Sequence, residues 1–167
     1  MYGCRVVQRA LESVELEDQI TIVNELKDHI LECAKDQNLN HVIQKLIEKI
    51  PFDKIEFVLQ LLENQIYHLA THPYGCRVIQ RLLEYSSPMD QEKILEELNR
   101  FVFYLIQDQY GNYVIQHILE RGKPEDRQRI LDVVLGQVVQ FSKHKFALNV
   151  VEKCIKYGSV NQRRSIL

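Results

Sequence analysis

Long apolar runs are missing from this sequence. None approaches the roughly 18 residues that cross a bilayer. The opening residues carry Arg5 and Arg9 in an amphipathic pattern and do not form a signal peptide. An intracellular, cytoplasmic protein with no membrane association is expected. Enzyme signatures are missing as well: there is no GxSxG, no HExxH and no Walker loop. No CxxC pair joins any of the four cysteines, which removes zinc-ribbon and dithiol-redox readings. Charge of one sign is not in excess, with 21 basic against 23 acidic residues and a net charge of −2. For a nucleic-acid binder that sum is unpromising unless the basic residues gather on one face.

What remains is an ordinary globular composition, 46% apolar and 26% charged, in 167 residues. A single domain is expected, burying about two-thirds of its unfolded surface. Within it one pattern occurs five times. It reads MYGCRVVQRALE at the start, DQNLNHVIQKLIE from Asp36, HPYGCRVIQRLLE from His72, DQYGNYVIQHILE from Asp108 and HKFALNVVEKCIK from His144. The motifs fall at 1–14, 37–50, 73–86, 109–122 and 145–158, a spacing of 36 residues without insertion or deletion. Apolar positions between the motifs keep the same register: Ile22, Val58, Ile94 and Ile130; Val23, Leu59, Leu95 and Leu131; Leu26, Leu62, Leu98 and Val134; Ile30, Ile66, Val102 and Val138. A period of this length marks a stacked array whose units cannot bury their apolar faces alone.

Each unit reads as all-helical, because its apolar residues recur at three and four. Pro51, Pro88 and Pro124 fall where a loop or first helical turn would accept them. Gly122 and Gly158 stand where a motif helix would stop. Cys4 and Cys76 are two repeats apart. At about 8–10 Å per helical layer, that exceeds the roughly 7 Å Cα reach of a disulfide. All four cysteines, Cys33 and Cys154 included, are expected as reduced thiols. The chain starts inside a motif and ends inside a later helical segment, as a piece cut from a longer array would.

At about 100° per residue, with Cys4 at zero, Gln8 lies near 40°, Glu12 near 80°, Arg5 near 100° and Arg9 near 140°. Val6, Val7, Ala10, Leu11 and Val14 fall between about 200° and 340° on the same wheel. The polar arc carries what repeats. Its first place holds Cys4, Asn40, Cys76, Asn112 and Leu148; its second Arg5, His41, Arg77, Tyr113 and Asn149; its fifth Gln8, Gln44, Gln80, Gln116 and Glu152. A merely solvated face would drift among Glu, Lys, Ser and Gln. Gln and Glu can bond a base edge, and Arg, His and Tyr offer flat faces on which bases stack. Arg9, Lys45, Arg81, His117 and Lys153 form a basic ridge beside them, expected to track phosphates.

Two other patterns lead nowhere. His68, His72 and Cys76 are spaced four apart like helical metal ligands, but Pro73 interrupts any helix there and a fourth ligand is lacking. Glu12, Glu48, Glu84 and Glu120 recur one layer apart, too far for a catalytic carboxylate pair. The competing reading is a peptide-binding solenoid of the armadillo or HEAT kind. Its groove has no need for Gln or Glu at one fixed place, paired with a stacking residue three earlier.

The stretches YGCRVIQ, DQYGNYVIQ and HKFALNVVEK resemble the Pumilio-type (PUF) RNA-binding repeats, and the resemblance covers the whole chain. It implies an all-α, right-handed, crescent-shaped solenoid of three-helix repeats, of which residues 1–167 supply about four and a half, matching the third to seventh of a full domain. It implies a monomer without cofactor or metal that binds single-stranded RNA antiparallel on its concave face, one base per repeat. Cys4 with Gln8 and Cys76 with Gln80 would read adenine; Asn40 with Gln44 and Asn112 with Gln116 would read uracil. Arg5, His41, Arg77, Tyr113 and Asn149 would lie between bases. Glu152 matches the guanine reader, but Leu148 stands where that reader has Ser, and leucine can neither donate nor accept a hydrogen bond. The implied RNA is 5′-(G)-U-A-U-A-3′, within the UGUA-type elements of messenger 3′ untranslated regions. The implied outcome is repression or decay of the message through repressor or deadenylase proteins on the convex face. Leu39 replaces Gly3, Gly75, Gly111 or Ala147 of the sister motifs, and is expected to shift Asn40 and weaken discrimination there.

Overall fold

A computed structural model describes residues 2–167. Each motif forms a helix: α1 (Tyr2–Ser13), α4 (Asn40–Lys49), α7 (Gly75–Tyr85), α10 (Gly111–Arg121) and α13 (Ala147–Tyr157). After each comes a second helix: α2 (Leu16–Leu26), α5 (Phe52–Leu62), α8 (Pro88–Asn99), α11 (Pro124–Leu135) and α14 (Val160–Ile166). Short helices lead into the next motif: α3 (Ile30–Lys35), α6 (Ile66–Ala70), α9 (Val102–Gln107) and α12 (Val138–Ser142). No strand occurs among the described residues.

The chain divides into two compact units, one running to Ile94 and the other Leu95–Leu167. In the first, α1 packs on α4 and α4 on α7, with α3 against α4 and α5, and α6 against α7. In the second, α10 packs on α13, α9 lies against both, and α11 meets α14. The registered residues form these cores. Val23, Leu59, Leu95 and Leu131 are buried, as are Val58, Ile94 and Ile130. Each motif helix adds its own apolar arc, for example Val42, Ile43, Leu46 and Ile47. Burying one such side chain contributes about 1.5–3 kcal/mol, which fixes the face each motif helix turns inward.

The boundaries follow from particular residues. Pro51 precedes α5, and Pro88 and Pro124 open α8 and α11, where no backbone N–H is needed. Ser159 and Gln162 cap α14 reciprocally. Gly122 and Gly158 end α10 and α13, but in extended backbone, φ −75° and −69°, not the left-handed turn usual for a terminal glycine. Close approach explains them: a Cβ would stand 2.4 Å from the Ile118 carbonyl oxygen at one and 2.5 Å from that of Cys154 at the other. Side chains one repeat apart close the same helix ends, Arg127 Nε donating to Gly122 O and Arg163 Nε to Gly158 O, both at 3.0 Å.

Candidate nucleic-acid interface

The entrance to each motif helix sets the geometry of the site. Asp36 Oδ1 accepts from the backbone N–H groups of Asn38 and Leu39, both at 2.8 Å. Asp108 Oδ1 does the same for Tyr110 at 2.8 Å and Gly111 at 2.7 Å. In the alternate repeats the acceptor is an imidazole. His72 Nδ1 accepts from Tyr74 and Gly75 at 3.2 Å, and His144 Nδ1 from Phe146 at 3.2 Å and Ala147 at 3.3 Å. Only a neutral ring with its proton on Nε2 can do this. Burial, followed by the nearby Lys35 charge, holds the His72 pKa below its ordinary value. The two N–H donors, Leu39 first, hold that of Asp36 down. His72 and Pro73 lie in the turn between α6 and α7, so His68 and Cys76 sit on separate helices.

The first-place residue comes next, and it faces into this turn. Asn40 and Asn112 are both 0% exposed. Asn40 Nδ2 donates to Asp36 O at 2.8 Å and Gln37 O at 2.9 Å; Asn112 Nδ2 donates to Asp108 O and Gln109 O, both at 2.8 Å. Each Oδ1 accepts from the fifth-place glutamine, Gln44 Nε2 at 2.9 Å and Gln116 Nε2 at 2.8 Å. Cys76 is also buried, its Sγ 3.6 Å from Pro73 O, and Gln80 Nε2 donates to Cys76 O at 3.2 Å. The first-place residues are therefore brackets. The Asn40 and Asn112 side chains fasten Gln44 and Gln116, and the Cys76 backbone carbonyl fastens Gln80, each through one N–H, which leaves the Oε1 acceptor and the second N–H of each half-buried amide for a ligand edge.

Leu39 does not displace Asn40, contrary to the sequence expectation. The Asn40 bonds match those of Asn112 within 0.1 Å. The turn keeps its bonds whatever the side chain, Asp36 Oδ1 accepting from the Leu39 N–H and Asp36 O from the Asn40 N–H at 3.2 Å, as Asp108 O does from the Asn112 N–H. In the first motif Cys4 and Gln8 are half-buried, and in the last Leu148 and Glu152 are exposed. Glu152 keeps a carboxylate, an acceptor only, at the place of the glutamines.

Flat side chains flank this row. Arg5, His41 and Arg77 are exposed, Tyr113 is 52% exposed, and Asn149 is half-buried. They are open to a stacking partner.

The basic ridge is arranged differently from the sequence expectation. Lys45 Nζ lies 2.9 Å from Glu12 Oε1 and 3.8 Å from Glu48 Oε2. Arg81 Nε lies 3.2 Å from Glu48 Oε1, and its Nη1 2.6 Å from Glu84 Oε2. Lys153 Nζ pairs with Glu120 Oε1, which also accepts from Tyr157 Oη at 3.3 Å. The hydrogen bond and charge of Lys45 depress the Glu12 pKa, and Glu12 raises that of Lys45. Lys45, Arg81 and Lys153 are thus ion-paired to the motif helix before, whereas Arg9 is exposed. Each cross-helix pair joins residues 33 apart, one repeat less three positions. The repeated pairs show that α1 with α4, α4 with α7, and α10 with α13 lie side by side in one register. Corresponding faces are adjacent within each unit, bringing together the fifth places Gln8, Gln44 and Gln80 in the first and Gln116 and Glu152 in the second.

The chain matches the sequence profile of the Pumilio-family RNA binding repeat at residues 1–27, 29–62, 65–98, 101–135 and 137–167. The last four of these stretches each hold a short helix, a motif helix and a second helix. Among solved structures, the Puf3 RNA binding domain bound to a Cox17 RNA 3′ UTR recognition sequence, site A, is 56% identical with a TM-score of 0.95, over 99% of this chain and 50% of that one. PUF-8 in complex with PBE-RNA is 41% identical with a TM-score of 0.94, over 99% and 49%. The Puf4 RNA binding domain bound to the HO endonuclease RNA 3′ UTR recognition sequence is 26% identical with a TM-score of 0.88, over 99% and 52%. This chain spans about half the length of each. Comparison with curated protein sequences gives no match. The chain belongs to the Pumilio family of RNA-binding repeat proteins, which are not enzymes.

Proposed function

We propose that this chain binds single-stranded RNA in a sequence-dependent way, one base to each motif helix. The observation that carries the reading is the fastened glutamine. Gln44, Gln80 and Gln116 each hold one amide edge in place and leave an acceptor and a donor side by side. A uracil or adenine Watson–Crick edge also offers one donor beside one acceptor, so the two edges are complementary. The exposed Arg5, His41, Arg77 and Tyr113 supply stacking surfaces beside that row. Similar domains in the Puf3, PUF-8 and Puf4 structures carry RNA, two of them 3′ UTR recognition sequences.

The finer reading rests on the pairs in the sequence. Cys4 with Gln8 takes A, Asn40 with Gln44 takes U, Cys76 with Gln80 takes A and Asn112 with Gln116 takes U. The Glu152 carboxylate suits the two donors of a guanine edge, although Leu148 adds nothing to it. The RNA core is then 5′-(G)-U-A-U-A-3′, inside a UGUA-type element of a cytoplasmic message, and repression or decay of that message would follow through recruited proteins. Fluorescence anisotropy at fixed salt, with UGUAUAUA RNA against a scrambled sequence, tests it. At least tenfold tighter binding to the first is expected, and equal affinities would overturn the reading.

A further inference from the structure

We propose that Glu12, Glu48 and Glu120 set the ratio of sequence-specific to non-specific RNA binding, by withholding the ridge cations from phosphates. The inference rests on the RNA-binding reading above and concerns how the same face discriminates.

Two kinds of cation lie on this face. Arg5 and Arg77, at the second place, are exposed and take part in no ion pair among the described residues. Lys45, Arg81 and Lys153, four residues further along their helices, are each drawn onto a glutamate of the preceding motif helix. Their side chains are only 24%, 36% and 24% exposed. In the first unit the charges alternate along a ladder: Glu12, Lys45, Glu48, Arg81, Glu84. Along it three acids stand against two bases, so neither Lys45 nor Arg81 lies without a carboxylate.

Attraction to phosphates is the part of nucleic-acid affinity that carries no sequence information, and it supplies nearly all non-specific binding. A face that tracked phosphates with three free cations would hold any single strand. Pairing each cation removes that contribution while leaving the amide edges and the stacking side chains untouched. The glutamates also suit the task by position: Glu12, Glu48 and Glu120 stand one helical turn beyond Gln8, Gln44 and Gln116, on the same face. Phosphates competing for Lys45 or Arg81 must displace a carboxylate already in contact.

The test is the salt dependence of binding in Glu48→Gln with Glu120→Gln, measured by anisotropy for UGUAUAUA RNA and for its scramble between about 50 and 200 mM KCl. Single-stranded RNA adds about 0.7 to the log–log slope for each cation engaged. Glu120→Gln frees Lys153 and should steepen it by about 0.7, and Glu48→Gln, which leaves Arg81 on Glu84 alone, should add a smaller increment, up to about 0.7. The scrambled RNA should gain more affinity than the specific one, lowering their ratio. Adding Arg81→Gln to Glu48→Gln should cancel that repeat's share. The pairs lie on the polar arc, away from the apolar cores, so both variants should fold. Glu12→Gln, which frees Lys45 at a more exposed rung, gives an independent reading. Unchanged slopes in these variants, with parental preference for UGUAUAUA intact, would overturn the inference. No preference in the parent would instead overturn the function from which it starts.

Discussion

Replacing Asn112 by alanine should cost about 2–3 kcal/mol of stability, and the reason is local. The side chain is wholly enclosed and makes three hydrogen bonds: to Asp108 O, to Gln109 O, and from Gln116 Nε2, each at 2.8 Å. At about 0.5–1.5 kcal/mol net for each, their removal spans about 1.5–4.5 kcal/mol. The upper end is not reached. Asp108 O keeps the backbone N–H of Asn112 at 3.2 Å, and the exposed Gln109 lets water reach its carbonyl. For a chain of this size each kcal/mol moves Tm by about 2–4 °C, so thermal melting followed by circular dichroism at 222 nm should fall by about 4–12 °C. The order of substitutions is more telling than any single value. Asn112→Cys should lose about half as much, because Cys76 fills the equivalent place with a thiol aimed at a carbonyl. Asn112→Asp should be worse than alanine, since the carboxylate oxygen in place of Nδ2 would set an acceptor against both Asp108 O and Gln109 O. If aspartate is tolerated as well as asparagine, or alanine shifts Tm by less than about 1 °C, the bracket role is wrong.

Three further outcomes follow from the same geometry. Because His72 binds its proton less readily in the folded chain than in the unfolded one, stability should be complete above about pH 6.5 and fall as the pH drops toward the depressed folded value. His72→Asp, which restores the acceptor of Asp36 and Asp108, should flatten that fall in melts taken between pH 5 and 8. Changing Cys76 to Ser together with Gln80 to Glu should turn that repeat's preference from A to G in a panel of single-base RNA variants; continued preference for A would mean that the pairing of residues to bases is misassigned. Tyr113→Ala should weaken binding by about 1–3 kcal/mol with base preference unchanged, and a collapse of selectivity in anisotropy would contradict a stacking role.

The repeat and the helices were legible in the sequence because they depend on periodicity. A strict 36-residue register marks Val23, Leu59, Leu95 and Leu131, all of them buried, and a helical wheel separates the apolar and polar arcs of each motif helix. The wheel gives azimuth but not depth. Asn40 and Asn112 share an arc with Gln44 and Gln116, yet they stand in the first turn, where Cα–Cβ bonds tilt back toward the helix start. Their amides therefore meet the carbonyls of the entering turn, and only the glutamine one turn later reaches the surface. Leu39 misled because the turn is held through its backbone N–H, which bonds the Asp36 carboxylate, and not through its side chain.

Lys45, Arg81 and Lys153 show a different limit. Read on single helices they form a basic ridge, and Glu12, Glu48 and Glu120 form an unrelated acidic series. In a stacked array the relevant neighbour lies one period away, shifted by about a turn, so the informative separation is 33 and not three or four. That separation was available in the sequence: Glu12 to Lys45, Glu48 to Arg81 and Glu120 to Lys153 all have it. The same counting explains why Asp36 and Asp108 alternate with His72 and His144. Two side chains with no common charge fill one place because that place asks only for an acceptor two and three residues before a pair of backbone N–H groups. In a repeat protein each position is defined by its bonds to the next layer and to its own turn, and residue chemistry is interchangeable wherever those bonds are kept.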